Sequence, residues 1–288
     1  MIESITVYQK LDKSDAFTMV LNDPHNVTDH SGFVIENIDG LGPVDANINM
    51  TEMAIDGDNF NSARIGKRNI VFDLVYYGEY GNDIQGVRRR SYSLFPTKKR
   101  VFIEVATDDR TVWTVGNVEK NEPDIFSKDC KSQVSILCGD PKWYDSDGAE
   151  TTTFTQVETT DPPFYYGEIN YGYDSVEVGG ILTITFGSDI TGDSDPILRV
   201  SCVNATFDIY APENGFKNGD TLAISSIQGN KYCIWKDETE AEINALHLLS
   251  KDPDWIAVEP GGCDIMVTGS TNAIESVVFE NPICYEGV

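Results

Sequence analysis

Runs of four to eight residues rich in β-branched and aromatic side chains, each closed by Gly, Asp, Asn or Pro, recur along nearly the whole chain. That spacing restricts it to short strands in stacked antiparallel sheets. Clear instances are Ile70–Tyr76, Val101–Val105 and Lys131–Cys138. The second half continues with Ile181–Phe186, Ile197–Val203, Ala205–Tyr210, Leu222–Ile227, Tyr232–Trp235, Ile265–Val267 and Val277–Phe279. Tyr and Phe outnumber Met by 13 and 13 to 5, which suits sheets packed through rings better than a helix bundle.

Two stretches carry helical spacing. Between Asn82 and Pro96, apolar Ile84, Val87, Leu94 and Phe95 fall near one face; Asn82 or Asp83 can cap the start, and Pro96 forbids continuation. From Glu240 to Ser250, Ile243, Leu246 and Leu249 keep a helical period, but the segment is barely three turns long and needs tertiary support. At 288 residues the chain exceeds what one core usually organises. We expect a mainly β protein of two domains, residues 1–145 and 146–288. The first is an antiparallel β-sandwich-like domain with one helix; the second is another β-sandwich. The boundary falls at Asp145–Glu150, and residues 1–145 hold enough strands to close their own core.

The formal charge of -26 is unevenly spread. Residues 1–145 hold 16 Lys+Arg against 23 Asp+Glu, a net of -7, whereas residues 146–288 hold 5 against 24, a net of -19. Such a second half repels nucleic-acid phosphates and anionic lipid. The amino-terminal residues lack the basic and apolar segments of a secretion signal, and no apolar run approaches the roughly 20 residues that span a bilayer. We therefore expect synthesis in a cytoplasm and free thiols at Cys130, Cys138, Cys202, Cys233, Cys263 and Cys284, which form no C-x-x-C pair.

Signatures of catalysis are sparse. The histidines are His25, His30 and His247, and none lies in a G-x-S-x-G or H-E-x-x-H context. No Cys/His cluster has zinc spacing. Asp56–Asn59 and the group Asp189, Asp193 and Asp195 gather oxygen ligands, yet neither has the glycine and terminal Glu of an EF-hand loop. We expect no catalytic residue, metal or cofactor. A rival reading is a carbohydrate-binding adhesin or glycoside hydrolase module, in which Tyr165, Tyr166, Tyr171, Tyr173, Trp235 and Trp255 offer ring faces to sugars. Among 47 acidic residues the sequence nominates no carboxylate pair for hydrolysis. Basic side chains gather at Arg88, Arg89, Arg90, Lys98, Lys99 and Arg100, flanking the first helix. In an acidic protein this is the densest positive group able to meet carboxylates of a neighbouring subunit.

Four stretches of the first half, in order and spacing, resemble the distal tail proteins of long-tailed phages (siphophages). They are Phe33–Pro43, with its Ile38-Asp39-Gly40-Leu41 turn; Asp56-Gly57 with Arg68-Asn69-Ile70; Leu94-Phe95-Pro96 followed by Lys98-Lys99-Arg100; and Val115–Glu119, Ile125-Phe126 and Cys138–Trp143. The second half is similar to the galectin-like sandwich that often follows in that family, through Asn218-Gly219-Asp220-Thr221-Leu222, Leu246–Leu249, Trp255 and Pro260-Gly261-Gly262. The resemblance implies a structural, non-enzymatic subunit of a virion tail tip. In that family a homo-hexameric ring of amino-terminal domains surrounds a channel, with carboxy-terminal domains outward. The partners implied are the tail tube protein, a tail-associated fibre or lysin protein, and receptor-binding proteins, without membrane or specific nucleic-acid binding.

Overall fold

The computed structural model describes residues 2–20, 32–53, 56–76, 84–124, 130–158, 163–191, 195–237, 239 and 241–288. Alternation of apolar and polar residues organises them into twenty strands and one α-helix. Two compact units result: Met1–Asp147 with Tyr285–Val288, and Gly148–Cys284. The first therefore includes four residues from the far end of the sequence.

Unit 1 contains β1 (Ile2–Tyr8), β2 (Phe17–Val20), β3 (Phe33–Asp39), β4 (Ala46–Glu52), β5 (Asp58–Ile65), β6 (Arg68–Tyr76), α1 (Ile84–Leu94), β7 (Arg100–Thr107), β8 (Thr111–Pro123), β9 (Lys131–Cys138) and the start of β10 (Trp143–Thr153). Antiparallel pairing runs β2-β1-β7-β8-β9-β6-β3, with β10 beside β8 through Tyr144↔Trp113 and Asp145↔Val112. Both ends of this ribbon feed one core. Ile5, Val7, Val101, Ile103 and Val105 come from one end, Ile70, Phe72, Leu74, Val134 and Ile136 from the other, and Trp143 joins them. The strict period of β6, with every second residue buried, is what a strand covered on one face requires.

The helix forms where its periodicity predicts. Ile84, Val87 and Leu94 pack against that core, Phe95 lies 6.0 Å from the Phe72 ring, and Pro96 follows the last turn. The expected caps, Asn82 and Asp83, lie outside the described residues. Beyond the helix the chain turns through Lys98, at a φ of 69°, and Lys98 N donates to Val118 O while Val118 N donates to Lys99 O.

Unit 2 holds the rest of β10, then β11 (Thr155–Val157), β12 (Phe164–Ile169), β13 (Ile181–Phe186), β14 (Leu198–Cys202), β15 (Ala205–Ile209), β16 (Thr221–Ser225), β17 (Tyr232–Lys236), β18 (Glu242–Asn244), β19 (Cys263–Gly269) and most of β20 (Ile274–Tyr285). Two antiparallel sheets result, ordered β18-β17-β16-β13-β20 and β11-β12-β19-β14-β15. Leu182, Ile184, Phe186, Leu222, Ile224, Val277 and Phe279 are buried on the first, and Val200, Phe207, Ile209, Ile265 and Val267 on the second. The Tyr165 hydroxyl ties the two by donating to Ile274 O at 2.9 Å.

One expected element needs correction. The helix expected over 240–250 is absent: Glu242–Asn244 pairs with β17, Leu246–Leu248 is a single 3-10 turn, and Leu249 bridges to Ile209. Backbone pairing to β17, continued by Ala245 N donating to Cys233 O, outweighs a propensity too short to sustain itself. The stretch Asp145–Glu150, where the sequence places the domain boundary, lies inside β10, and the chain passes from one compact unit to the other between Asp147 and Gly148.

Candidate assembly surfaces

The residues that carried the family resemblance meet physically at Arg68. This side chain is 1% exposed. Its Nε donates to Pro141 O at 2.8 Å, Nη1 to Gly40 O at 2.6 Å and Gly42 O at 2.5 Å, Nη2 donates to Glu286 O, and the guanidinium stacks 5.3 Å from the Trp143 ring centroid. Four backbone carbonyls thus replace the water that burial removes; desolvation still lowers its pKa, which Cys138 and Glu286 oppose. Gly40 makes the approach feasible. At a φ of +85° it sits where L side chains are strained, and a Cβ there would lie 2.0 Å from Asn69 O. The Val288 N–H donates to Leu41 O at 3.1 Å, and Arg110 lies 4.3 Å over the Tyr285 ring, so residues 285–288 are pinned to the same knot.

The residues considered for chemistry do not converge. His247 sits in the 3-10 turn, and His25 and His30 lie outside the described residues. All six cysteines are free thiols, with Cys138, Cys233 and Cys284 buried. Among the described residues no group of three or more His, Cys, Asp or Glu is placed to hold a metal ion. Asp189 is engaged by Lys217 Nζ and Asn218 N, both at 3.1 Å, and Asp193 is outside the described residues.

Most of the aromatics considered for sugar contact are used internally. Tyr165 and Tyr171 are buried, so neither offers a ring face to a sugar; the Tyr171 hydroxyl donates to Val176 O and accepts from Cys284 N, each at 3.0 Å. Tyr166 donates to Asp264 at 2.7 Å, and that bond to a carboxylate pushes its pKa up to about 12. Trp235 Nε1 donates to Asp220 and its ring meets Phe216 edge-on, while Trp255 is half-buried under Lys231. Tyr173 differs: it is 89% exposed.

The basic group lies at the helix and the turn after it. Arg88 is half-buried and reaches Gln85; Arg89, Arg90, Lys98, Lys99 and Arg100 are exposed. Arg90 covers the Phe17 ring at 4.7 Å. Arg89, Lys98, Lys99 and Arg100 make no ion pair among the described residues.

Sequence reasoning missed the most exposed element. Strands β4 and β5 pair only with each other, and every residue of both is exposed. Their register puts Ala46↔Ile65, Ile48↔Ala63 and Met50↔Phe60 on one face, and Asn47↔Arg64, Asn49↔Ser62 and Thr51↔Asn59 on the other. Asn61 sits in a bulge and bonds Thr51 across the polar face at 2.6 Å. The apolar face is bare, with Ile48 and Met50 at 52% and Phe60 at 58% exposure. A lone two-stranded hairpin is marginal in water, and a contiguous apolar face this open marks a contact surface. The signal available was Asp56-Gly57 between two alternating stretches, the usual mark of a hairpin turn.

No protein-family model and no curated protein matches the sequence. Solved structures do match. The Dit protein (gp 19.1) of phage SPP1, described as a paradigm of the hub adsorption apparatus in phages infecting Gram-positive hosts, superposes with a TM-score of 0.61 at 15% identity, over 88% of this chain and 93% of that one. The chain has the Dit fold. A chain of the phage P2 baseplate in its activated conformation with calcium aligns over 100% of both at 12% identity, with a TM-score of 0.47 that adds no weight.

Proposed function

We propose that this chain is a structural, non-enzymatic hub subunit of a long-tailed phage's tail tip, assembling as a ring of six that joins the tail tube to the host-attachment apparatus. The observation that carries the reading is the fold shared with SPP1 Dit over nearly the full length of both chains. Two features of this chain support it independently. The amphipathic hairpin of unit 1 presents an exposed apolar face of the kind that marks a contact surface. The cations gathered at α1 offer an attractive contact to copies that otherwise repel, since each carries a formal -26.

In this reading unit 1 closes the ring and unit 2 is the galectin-like module, supported by its two sets of antiparallel strands, β18-β17-β16-β13-β20 and β11-β12-β19-β14-β15. The other partners proposed are the tail-associated fibre or lysin protein and receptor-binding proteins. Electron microscopy of the purified full chain should show six-fold rings. A monomer that releases reducing sugar from host wall material, with the activity lost on one carboxylate substitution, would overturn the reading in favour of a hydrolase.

A further inference from the structure

We propose that the β4–β5 hairpin of one copy docks on the outer face of α1 in the next copy, its acidic tip meeting the helix arginines. This rests on the hub reading and names the two surfaces that meet within it.

The tip is electrostatically unfinished. Glu52 and Asp58 stand directly opposite each other as the last pair of the hairpin, with Asp56 in the turn between. Like charges in a cross-strand pair destabilise it, and among the described residues none of the three has a cationic partner. The hairpin's own cation, Arg64, lies towards the other end and on the opposite face, across from Asn47. Glu52 and Asp58 share the apolar face with Ile48, Met50 and Phe60, so one surface carries an apolar patch that ends in carboxylates.

The outer face of α1 has the complementary chemistry. Gln85, Arg89, Tyr92 and Ser93 are exposed at helical spacing, and Tyr92 is 45% exposed. Leu11, 82% exposed, follows two residues after Gln9, whose Nε2 donates to Ser93 O at the end of the helix at 2.8 Å. The surface therefore pairs apolar Tyr92 with Arg89 and its neighbour Arg90. The occupant is a second copy of this chain because one chain carries both halves of the match, while its own hairpin is uncovered along both strands. Two different surfaces of one chain meeting across copies make a heterologous contact, the kind that closes into a ring.

The test uses two charge-reversed full-length chains: Glu52→Lys with Asp58→Lys, and Arg89→Glu with Arg90→Glu. Each alone should lower the ring fraction at micromolar concentration at least tenfold, because like charges then face each other at every junction. Mixing the two should restore rings in which the variants alternate, seen by native mass spectrometry as even-numbered assemblies of equal composition. Rings from either variant alone, or folded monomers of both that fail to assemble on mixing, would overturn the docking. Because Arg90 covers Phe17, a melting curve accompanies each variant; if that pair unfolds, Arg89→Glu alone with Tyr92→Ser replaces it under the same criteria. A wild-type chain that is itself monomeric would instead refute the hub reading.

Discussion

Arg68 shows how one residue can hold together segments far apart in sequence. It begins a strand, and its guanidinium is spent on backbone carbonyls of residues 40, 42, 141 and 286. Replacing it with Ala leaves those acceptors unpaired and buried, so Arg68→Ala should cost about 3–5 kcal/mol in urea unfolding. Arg68→Lys, which offers a point charge in place of a fork, should lose less, and a loss below about 1 kcal/mol for Ala would contradict this account. The thiols make a second residue-scale prediction. Burial pushes Cys138 up to about 11 and Cys233 to about 12; Cys263 also reaches about 12, through burial and then its neighbours Cys202, Asp264 and Glu259. Each folded value lies above that of a free thiol at about 8.5, so the native state holds these protons more tightly. Their contribution is fully present below about pH 8.5 and is lost as pH rises towards 12. Unfolding free energy should fall above pH 9, and Cys233→Val should flatten part of that fall; an identical slope in the variant would count against the assignment.

At the scale of elements, the Asn218-Gly219-Asp220-Thr221-Leu222 stretch earns its place as a turn entering β16. Gly219 takes a φ of +91°, and fully buried Asp220 accepts from Lys217 N at 2.9 Å and Trp235 Nε1 at 3.0 Å. Asp220→Ala should cost about 1–3 kcal/mol and shift Trp235 emission, with Asp220→Asn milder because an acceptor remains. If Ala and Asn behave alike, the hydrogen bonds are not what anchors the turn. The hairpin makes the opposite prediction: replacing residues 46–65 with a short Gly-Ser link should change unfolding free energy by no more than about 0.5 kcal/mol, since none of its described side chains is buried. A collapse of stability would make it part of the fold and not a presented arm. These elements also show what was legible in sequence. Strands with one buried face, such as β6 and β13, announce themselves by alternation, and α1 by its period and Pro96. The segment from Glu242 to Leu249 misled because the apolar spacing of Ile243, Leu246 and Leu249 serves a strand, a 3-10 turn and a bridge in succession. In β4 and β5, Asn, Ser and Thr separate Ile, Met and Phe, a pattern with no core of its own chain to serve. Arg68 was visible only as a basic residue before a central strand; that its partners would be backbone carbonyls of distant turns has no sequence signature.

At the scale of the whole molecule, a Dit fold carries two exposed surfaces, the apolar face of the hairpin and the basic face of α1. Charge frames the problem for the proposed ring, because six copies at -26 would bring together a formal charge of about -156. Opposite charges at the contacts must offset part of that repulsion, and single exposed pairs are worth only about 0–1 kcal/mol each. In the proposed ring, closure would depend on the apolar face of the hairpin and its acidic tip acting together, repeated at every junction. The most direct measurement is native mass spectrometry of the full chain beside the chain lacking residues 46–65. The account predicts about 191 kDa, six times 31.9 kDa, for the first and a folded monomer for the second. A full chain that stays monomeric at tens of micromolar, or a ring that survives loss of the hairpin, would contradict it.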